Sequence, residues 1–372
     1  MTIDMKKFLF SFAFMAMGSV LLTGCLSNDD KSTDINDVEV VITKGALVLC
    51  KGNSELNIPG SLHYIDLENN GNARQLNVNI GKDPSEIYVY GSKVYITCTG
   101  EDAVLVLSTR DFTLLEEIDT KEELGEEEGA GPRGLTAYGS KVYVSTNGGY
   151  VGVIDTTSIA MTGTPYKVGG KPEGMGVALN SNNVPQLYVA NNDGYITTID
   201  LSQGGMTESK PSMLHSPAQI AAASFETSTV LFVLDNGQIE EGVQKDAGVY
   251  AVSGTNVEKT IPDATGMTAA GQYIVSYNAP LGSTTPSYSL FNVNSYAGYV
   301  GFPKGGDTQY PIVEPTAISM DPNTYAVYIG DADGFVNIYT LNGAFDKNYL
   351  VGERPVDIAF AYRVAKYSDL VK

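Results

Sequence analysis

One short signature, a proline followed three residues later by an aliphatic residue, recurs along most of this 372-residue chain. Six copies have the proline, and a seventh has Ala264 in its place, three residues before Met267. The copies start 40 to 51 residues apart, at Pro84, Pro132, Pro172, Pro217, Ala264, Pro315 and Pro355. That interval is the period of a four-stranded propeller blade and is too long for leucine-rich or ankyrin repeats. The sequence therefore predicts an all-β fold, a seven-bladed β-propeller of four-stranded antiparallel blades.

The segment between Gly170 and Asp200 illustrates the content of one repeat. Its signature leads into a strand at Met175, and a second strand covers Leu187–Ala190. A polar turn at 191–194 follows, and a third strand ends at Asp200. The chain also has 40 glycines and 23 tyrosines but almost no stretch with helical periodicity. This combination is typical of short strands joined by tight turns.

The two ends of the chain predict how the ring closes. After the last signature, only Val356 to about Arg363 can form a strand. The N-terminal part supplies three strands without a signature of its own, at 46–51, 61–67 and 74–80. One blade would then combine one C-terminal with three N-terminal strands, which leaves no incomplete blade at the seam. We therefore expect a single propeller domain over residues 46–372.

The first 45 residues have the pattern of an exported lipoprotein. Lys6 and Lys7 precede an apolar run, Phe8–Leu22, with the charge and length of a secretory signal rather than a membrane span. The tetrapeptide at 22–25, Leu-Thr-Gly-Cys, resembles the bacterial lipobox, in which the cysteine is lipid-modified and becomes the mature N-terminus. Residues 1–24 are thus predicted to be a lipoprotein signal peptide. Residues 25–45 are predicted to contain the lipidated Cys25 and a flexible acidic tether.

Two further resemblances concern family and location. Tyr143–Asn147 and Tyr188–Asn191, each followed by glycine and then by an Ile-Asp pair, resemble the YVTN repeats of YncE-like propellers. Leu26–Asp30 resembles the acidic export signal of Bacteroidetes-type surface lipoproteins. Together they imply an outer-membrane lipoprotein that faces the cell exterior. Propeller lipoproteins of this type include surface proteins that capture vitamin B12 for a TonB-dependent transporter, although no corrinoid-specific motif stands out in this sequence.

One face of the predicted ring collects the candidate binding residues. In a propeller, each innermost strand starts on the face to which the turn between the second and third strands returns. The longer inserts, at 52–60, 116–131, 236–246, 278–287 and 303–314, are expected on that face, where binding usually resides. The candidate ligand contacts are Lys51, Asn53, Arg133, Asn147, Lys171, Asn191, Asn192, Asp235, Asn236, Tyr277, Asn278, Gln309, Tyr310, Asp331 and Arg354.

Composition argues against several other functions. A formal net charge of -20 repels phosphate backbones, so nucleic acid is not an expected partner, and the membrane is expected to be reached only through the lipid. The two histidines have no second histidine or cysteine at ligand spacing, and the Asp331–Gly334 turn breaks the calcium-loop pattern after its glycine. No metal or cofactor is therefore expected. The glutamate-rich run from Glu116 to Glu128 is predicted to be a solvated, mobile loop.

Catalysis and disulfide formation are also disfavoured. Ser216 adjoins His215, but neighbours on an extended strand point to opposite faces. Cys50 and Cys98 occupy equivalent places in neighbouring blades, about 10 Å apart and beyond the ~7 Å limit for bridging. We expect two buried free thiols and no enzymatic activity.

The leading functional hypothesis is a monomeric, non-enzymatic propeller that binds a small molecule on its loop-bearing face. Corrinoid capture for a TonB-dependent outer-membrane transporter is its most concrete form. The alternatives are a protein-interaction scaffold at the outer membrane and a glycan-binding or glycan-cleaving propeller.

Overall fold

Seven antiparallel sheets form the blades of a ring, as the repeat period predicts. The computed structural model describes residues 39–366 except 70, 212, 226–227, 254–255, 281–284 and 300. The predicted signal peptide, the lipobox cysteine Cys25 and the acidic export signal lie outside the described residues. We number the blades from the one that contains the first strand.

The strand bounds follow the order of the chain. Blade 1 contains β1 (Glu39–Cys50), β2 (Ser61–Asp66), β3 (Arg74–Gln75) and β31 (Pro355–Lys366). Blade 2 contains β4 (Pro84–Tyr90), β5 (Lys93–Cys98), β6 (Ala103–Ser108) and β7 (Leu114–Asp119). Blade 3 contains β8 (Pro132–Tyr138), β9 (Lys141–Thr146), β10 (Tyr150–Asp155) and two short outer strands, β11 (Ala160–Met161) and β12 (Tyr166–Lys167).

The remaining four blades repeat the pattern. Blade 4 contains β13 (Pro172–Leu179), β14 (Pro185–Asn191), β15 (Tyr195–Asp200) and β16 (Met206–Ser209). Blade 5 contains β17 (Pro217–Phe225), β18 (Ser228–Asp235), β21 (Gly248–Ser253) and β22 (Asn256–Pro262), with a separate hairpin of β19 (Gln238–Glu240) and β20 (Val243–Lys245). Blade 6 contains β23 (Gly266–Ala270), β24 (Tyr273–Asn278), β25 (Ser287–Asn292) and β26 (Ala297–Tyr299). Blade 7 contains β27 (Pro315–Met320), β28 (Val327–Asp331), β29 (Phe335–Tyr339) and β30 (Phe345–Leu350).

The hydrophobic core is divided among the junctions between blades. One buried cluster joins Leu49 of blade 1 to Ile96 of blade 2, and another joins Val142 of blade 3 to Val104 of blade 2. Because the middle strands are covered on both sides by neighbouring blades, their sequences are nearly continuous apolar runs instead of strict alternations. Strand β6, with the sequence AVLVLS, is an example in which five successive residues are buried.

The ring closes in blade 1 by the predicted combination of one C-terminal and three N-terminal strands. Strand β31 is innermost and pairs antiparallel with β1, with Ala46 opposite Phe360 and Glu39 opposite Lys366. The first strand therefore begins at Glu39, seven residues before the predicted start of the domain at residue 46. These extra residues are ordered because the last strand is also longer than predicted and supplies their pairing partners.

The glutamate-rich segment is structured, which corrects the prediction of a mobile loop. Its first residues belong to β7, and helix α1 (Thr120–Leu124) follows. Asp119 Oδ1 caps this helix by accepting hydrogen bonds from the backbone N–H groups of Lys121 and Glu122, both at 2.9 Å. The buried Thr120 hydroxyl donates to Asp102 O at 2.7 Å. Local capping and one buried hydroxyl thus outweigh the repulsion between glutamates.

Candidate functional site

The innermost strands begin beside the ends of the second strands, on one face of the ring that we call the loop face. Asn192 N donates to Lys171 O at 3.0 Å in blade 4, and Lys51 N donates to Arg354 O at 2.9 Å in blade 1. The same backbone bond joins Asn147 N to Gly131 O at 3.0 Å in blade 3. Residues that are far apart in the sequence are therefore brought to one surface, which carries most of the candidate ligand contacts.

Several of the candidate polar side chains are exposed on the loop face. Two of the cations are paired with acids that precede a signature proline: Lys51 with Asp83, and Arg354 Nη2 with Glu314 Oε1 at 2.8 Å. Exposed ion pairs of this kind hold the side chains weakly and leave them available to a ligand. The exposed candidates are Lys51, Asn147, Lys171, Asn192, Gln309 and Arg354.

Asp235 and Asp331 have a structural role that the sequence did not indicate. Both are buried, with 0% and 1% of their surface exposed. Asp235 accepts hydrogen bonds from the backbone N–H groups of His215, Ser216 and Gly237, the last at 2.6 Å. The carboxylate of Asp331 accepts from three backbone N–H groups, those of Val313, Glu314 and Asp333. Each carboxylate joins the start of its blade to the turn after the second strand, and neither is open to a ligand.

Three more candidates are turned inward. Asn191 is fully buried, and its Nδ2 donates to Thr197 Oγ1 at 2.9 Å. Tyr277 is 9% exposed, and its ring covers Gly266 so closely that a Cβ there would lie 2.3 Å from the tyrosine Cζ. Burial raises the pKa of Tyr277 to about 12. The Oδ1 atom of Asn278 is buried and, within the described part of the chain, has no hydrogen-bond partner.

The other candidates belong to turns and inserts. Asn53 Oδ1 accepts from two following backbone N–H groups, and Asn236 O accepts from Gln244 Nε2 at 2.8 Å. Gln309 Nε2 donates to the Tyr310 hydroxyl at 3.1 Å, and the Tyr310 ring lies 5.5 Å from that of Phe335. These contacts order the inserts, and they do not engage all the polar groups at the surface of the inserts in hydrogen bonds.

Two long inserts differ from the simple expectation of loops on one face. Residues 236–246 contain the hairpin of β19 and β20, which exposes 74% of Ile239 and 58% of Val243. The 303–314 insert starts near the opposite face, where Lys304 pairs with Ala344 in the turn after β29. It reaches the loop face only at its end, beside Asp331. Its first part therefore lies between blades 6 and 7.

Three polar residues of the innermost strands, around the central channel, were not singled out from the sequence: Glu86, Gln219 and Asp357. The second residue after the signature proline is an acid or amide in three blades, and its side chain reaches the next blade. Asp357 Oδ2 accepts from Ile87 N at 2.9 Å, and Gln219 Oε1 accepts from Met267 N at 3.4 Å. The carboxylate of Glu86 makes the corresponding bond to the backbone of Leu135. Comparison of this position across the seven repeats could have identified these residues.

Burial sets the protonation of the two channel acids. It raises the pKa of Asp357 to about 6. It also raises the pKa of Glu86 well above its usual range, and the nearby negative charge of Asp357 adds to this effect. Arg133 opposes it, although this arginine is itself paired with Glu173 of blade 4. The candidate Arg133 is thus half-buried in a channel network and not fully open on the loop face.

The structure also shows the partners of the Ser216 and His215 side chains and the arrangement of the acidic side chains. Ser216 Oγ donates to Asn192 Oδ1 at 2.7 Å, while His215 Nε2 lies 4.0 Å from Asp246 Oδ2, so serine and histidine have separate partners. Within residues 39–366 as described, no group of three or more His, Cys, Asp or Glu side chains is arranged to hold a metal ion. The same part of the chain has no helix of the length and apolarity needed to cross a membrane.

The two cysteines of the described chain are free and buried, as predicted. Burial raises the pKa of both Cys50 and Cys98 to about 12. Neither thiol is therefore an activated nucleophile.

Comparisons with known proteins extend the fold assignment but not the function. The chain matches no protein-family model, and no curated protein sequence matches it. Hydrazine synthase of Kuenenia stuttgartiensis superposes with a TM-score of 0.55 at 15% identity, over 74% of this chain and 92% of that one. The WD40 repeats of RRP9 superpose with a TM-score of 0.55 at 11% identity, over 72% of this chain and 79% of that one. At these identities the likeness shows the propeller fold alone, which is compatible with ligand binding or with an interaction scaffold.

Proposed function

We propose that this chain is a non-enzymatic binding protein that takes a large polar ligand on its loop face. The observation that carries the proposal is the convergence of exposed polar side chains from different blades on one rigid surface. Lys51, Asn147, Lys171, Asn192 and Arg354 are exposed there, while the buried Asp235 and Asp331 hold the underlying turns. A surface fixed in this way forms many moderate hydrogen bonds at a small ordering cost.

The most concrete form of the proposal is a corrinoid, a large ligand edged with amides. Its amide groups would match the asparagine and lysine side chains of the loop face. The resemblance to YncE-like surface lipoproteins supports the same ligand class, with a lipid on Cys25, display at the outer membrane and a TonB-dependent transporter as the partner that receives the ligand.

Calorimetric titration with cyanocobalamin tests this form. The chain from residue 26, purified without the predicted signal peptide, is expected to release or absorb heat on binding and to show a higher melting temperature at saturating ligand. Absence of both effects would rule out the corrinoid.

Alanine variants then test the surface. Replacing Lys171, Asn192 and Arg354 together is expected to weaken binding by about tenfold to a hundredfold, because three moderate polar contacts are lost. Lys141→Ala, an exposed lysine on the opposite face, is the matched control. Unchanged affinity of the triple variant would move the site off the loop face.

A second candidate function, a protein-interaction scaffold, has its own supporting observation. The β19–β20 hairpin exposes most of Ile239 and Val243, and exposed apolar side chains on a projecting strand pair are suited to a protein partner. Crosslinking on intact cells from a photoreactive residue at position 239 distinguishes the two functions. A crosslink to an outer-membrane protein without any ligand requirement would favour the scaffold, and protease accessibility on the same cells tests surface display.

A further inference from the structure

A cavity of about 550 Å³ lies between blades 6 and 7, away from the loop face. On the blade 6 side the outer strand β26 has three residues, and the outer strand β30 of blade 7 has six. After β26 the chain crosses to blade 7, where Lys304 N donates to Gly343 O at 2.6 Å. This crossing segment supplies Gly301, Phe302 and Lys304 to the cavity lining.

The walls of the cavity are mostly apolar and are fixed by contacts outside it. The Phe302 ring lies 6.2 Å from the Tyr339 ring, and the Tyr273 ring lies 5.4 Å from the Tyr325 ring, both edge-on. The Tyr273 hydroxyl accepts a hydrogen bond from Gln272 Nε2 at 3.0 Å. A preformed, apolar cavity of 300–1,000 Å³ is typical of small-molecule sites. The apolar lining consists of Tyr273, Leu290, Phe302 and Leu341.

The Lys304 ammonium and the Asn342 side-chain amide place hydrogen-bond donors at the cavity. Lys304 is exposed at its edge, and no carboxylate of the described residues lies within 4.0 Å of its Nζ. Asn342 Oδ1 already accepts hydrogen bonds from the Thr340 hydroxyl at 2.6 Å and from Ala344 N at 3.2 Å. The remaining donors of Asn342 are its amide N–H groups. In a chain of net charge -20, an unpaired cation beside an amide donor is a local site of attraction for an anion.

We propose that this inter-blade cavity binds a small amphipathic anion. The aromatic or aliphatic body of the ligand occupies the space among Tyr273, Leu290 and Phe302, and its carboxylate or sulfonate lies at Lys304. The site goes beyond the loop-face function and does not depend on it, because the two surfaces share no residue.

Two fluorescent probes with nearly the same ring system test the proposal on the purified full chain. 8-Anilinonaphthalene-1-sulfonate carries the anion, and N-phenyl-1-naphthylamine lacks it. Both are expected to bind, the sulfonate more tightly. Lys304→Met is expected to weaken binding of the sulfonate probe by about threefold to fivefold, as for a partly exposed ion pair. The affinity of the neutral probe is expected to be unchanged. Lys304→Arg is expected to retain the preference.

Two further variants test whether the probes bind in this cavity. Lys141→Met makes the same charge change at an exposed lysine in blade 3 and is expected to have no effect. Leu341→Trp fills the cavity and is expected to abolish binding of both probes; if it does not fold, the Lys304 pair of variants decides. The proposal is overturned by no sulfonate binding up to about 1 mM, or by sulfonate binding that Lys304→Met leaves unchanged.

Discussion

Asp357, on the innermost strand of blade 1, accepts a hydrogen bond on its Oδ2 from the backbone N–H of Ile87 in blade 2, at 2.9 Å. Glu86 reaches from blade 2 to the backbone of Leu135 in blade 3 in the same way. Two acids in succession therefore connect three blades around the central channel, beginning at the seam where the two ends of the chain meet. These two acidic side chains hold the junctions between blades at buried positions, where their negative charge is poorly solvated.

The raised pKa of Asp357 predicts how stability depends on pH. Because burial raises it from the ordinary value of 3.8 to about 6, the native state keeps a proton that the unfolded chain releases between these values. The contribution of Asp357 to the free energy of unfolding is therefore expected to be greatest below about pH 4 and to fall as the pH rises through about 6. Asp357→Asn is expected to remove this decrease, because the amide is uncharged and keeps one acceptor oxygen for the Ile87 N–H.

Thermal unfolding of the wild type and of Asp357→Asn between about pH 4 and pH 8 measures the difference. Asp333→Asn, an exposed acid in blade 7, is the control for the change in net charge. Parallel curves for wild type and Asp357→Asn would contradict a raised pKa at this residue.

The buried Asp235 is expected to contribute strongly to stability. Asp235→Ala leaves the backbone N–H groups of His215, Ser216 and Gly237 without their acceptor, and each costs about 1–3 kcal/mol when buried. We expect a total loss of about 3–5 kcal/mol, with a smaller loss for Asp235→Asn, which keeps one acceptor oxygen. Chemical denaturation measures the loss, and a loss below about 1 kcal/mol would show that water satisfies the donors instead.

The contact between Gly266 and Tyr277 predicts a site that does not tolerate a side chain. A Cβ at residue 266 would lie 2.3 Å from the tyrosine ring, so Gly266→Ala is expected to cost about 1–3 kcal/mol through displacement of Tyr277. Gly298→Ala in the same blade is the control, because a Cβ there meets no atom within 4 Å. Equal stabilities of the two variants in denaturant titrations would refute the prediction.

The buried thiols are expected to be unreactive in the native protein. With their pKa raised to about 12, Cys50 and Cys98 are almost entirely protonated at pH 8. In a Cys25→Ser variant, a coloured aromatic disulfide reagent is expected to modify neither thiol in the folded protein and both after denaturation. Rapid modification of the native protein would mean that these strands open readily to solvent.

The repeat period predicted the blade count and the closure because every blade must bury the same faces against its neighbours. Side-chain roles within the repeats were less predictable. The residue paired with the signature proline is Thr146 in blade 3 and Asp235 in blade 5, and both are fully buried, whereas Asn147 is one residue further along and is exposed. The sequence marked the strand ends only to within a residue, and a one-residue difference in register decides whether a side chain is buried or exposed. The inter-blade cavity was equally hidden, because its lining comes from separate strands and from the crossing segment at 301–304.

The pairing of Glu39 with Lys366 places the two ends of the described chain side by side. Strand β1 runs toward the loop face, so its first residue lies on the other side of the ring, next to the end of the last strand. A tether joined to either end of the described chain therefore starts on the side of the ring away from the exposed loop-face candidates. Labels and immobilising tags placed at either end are thus separated from the loop-face residues by the depth of the ring, and they start on the same side as Lys304.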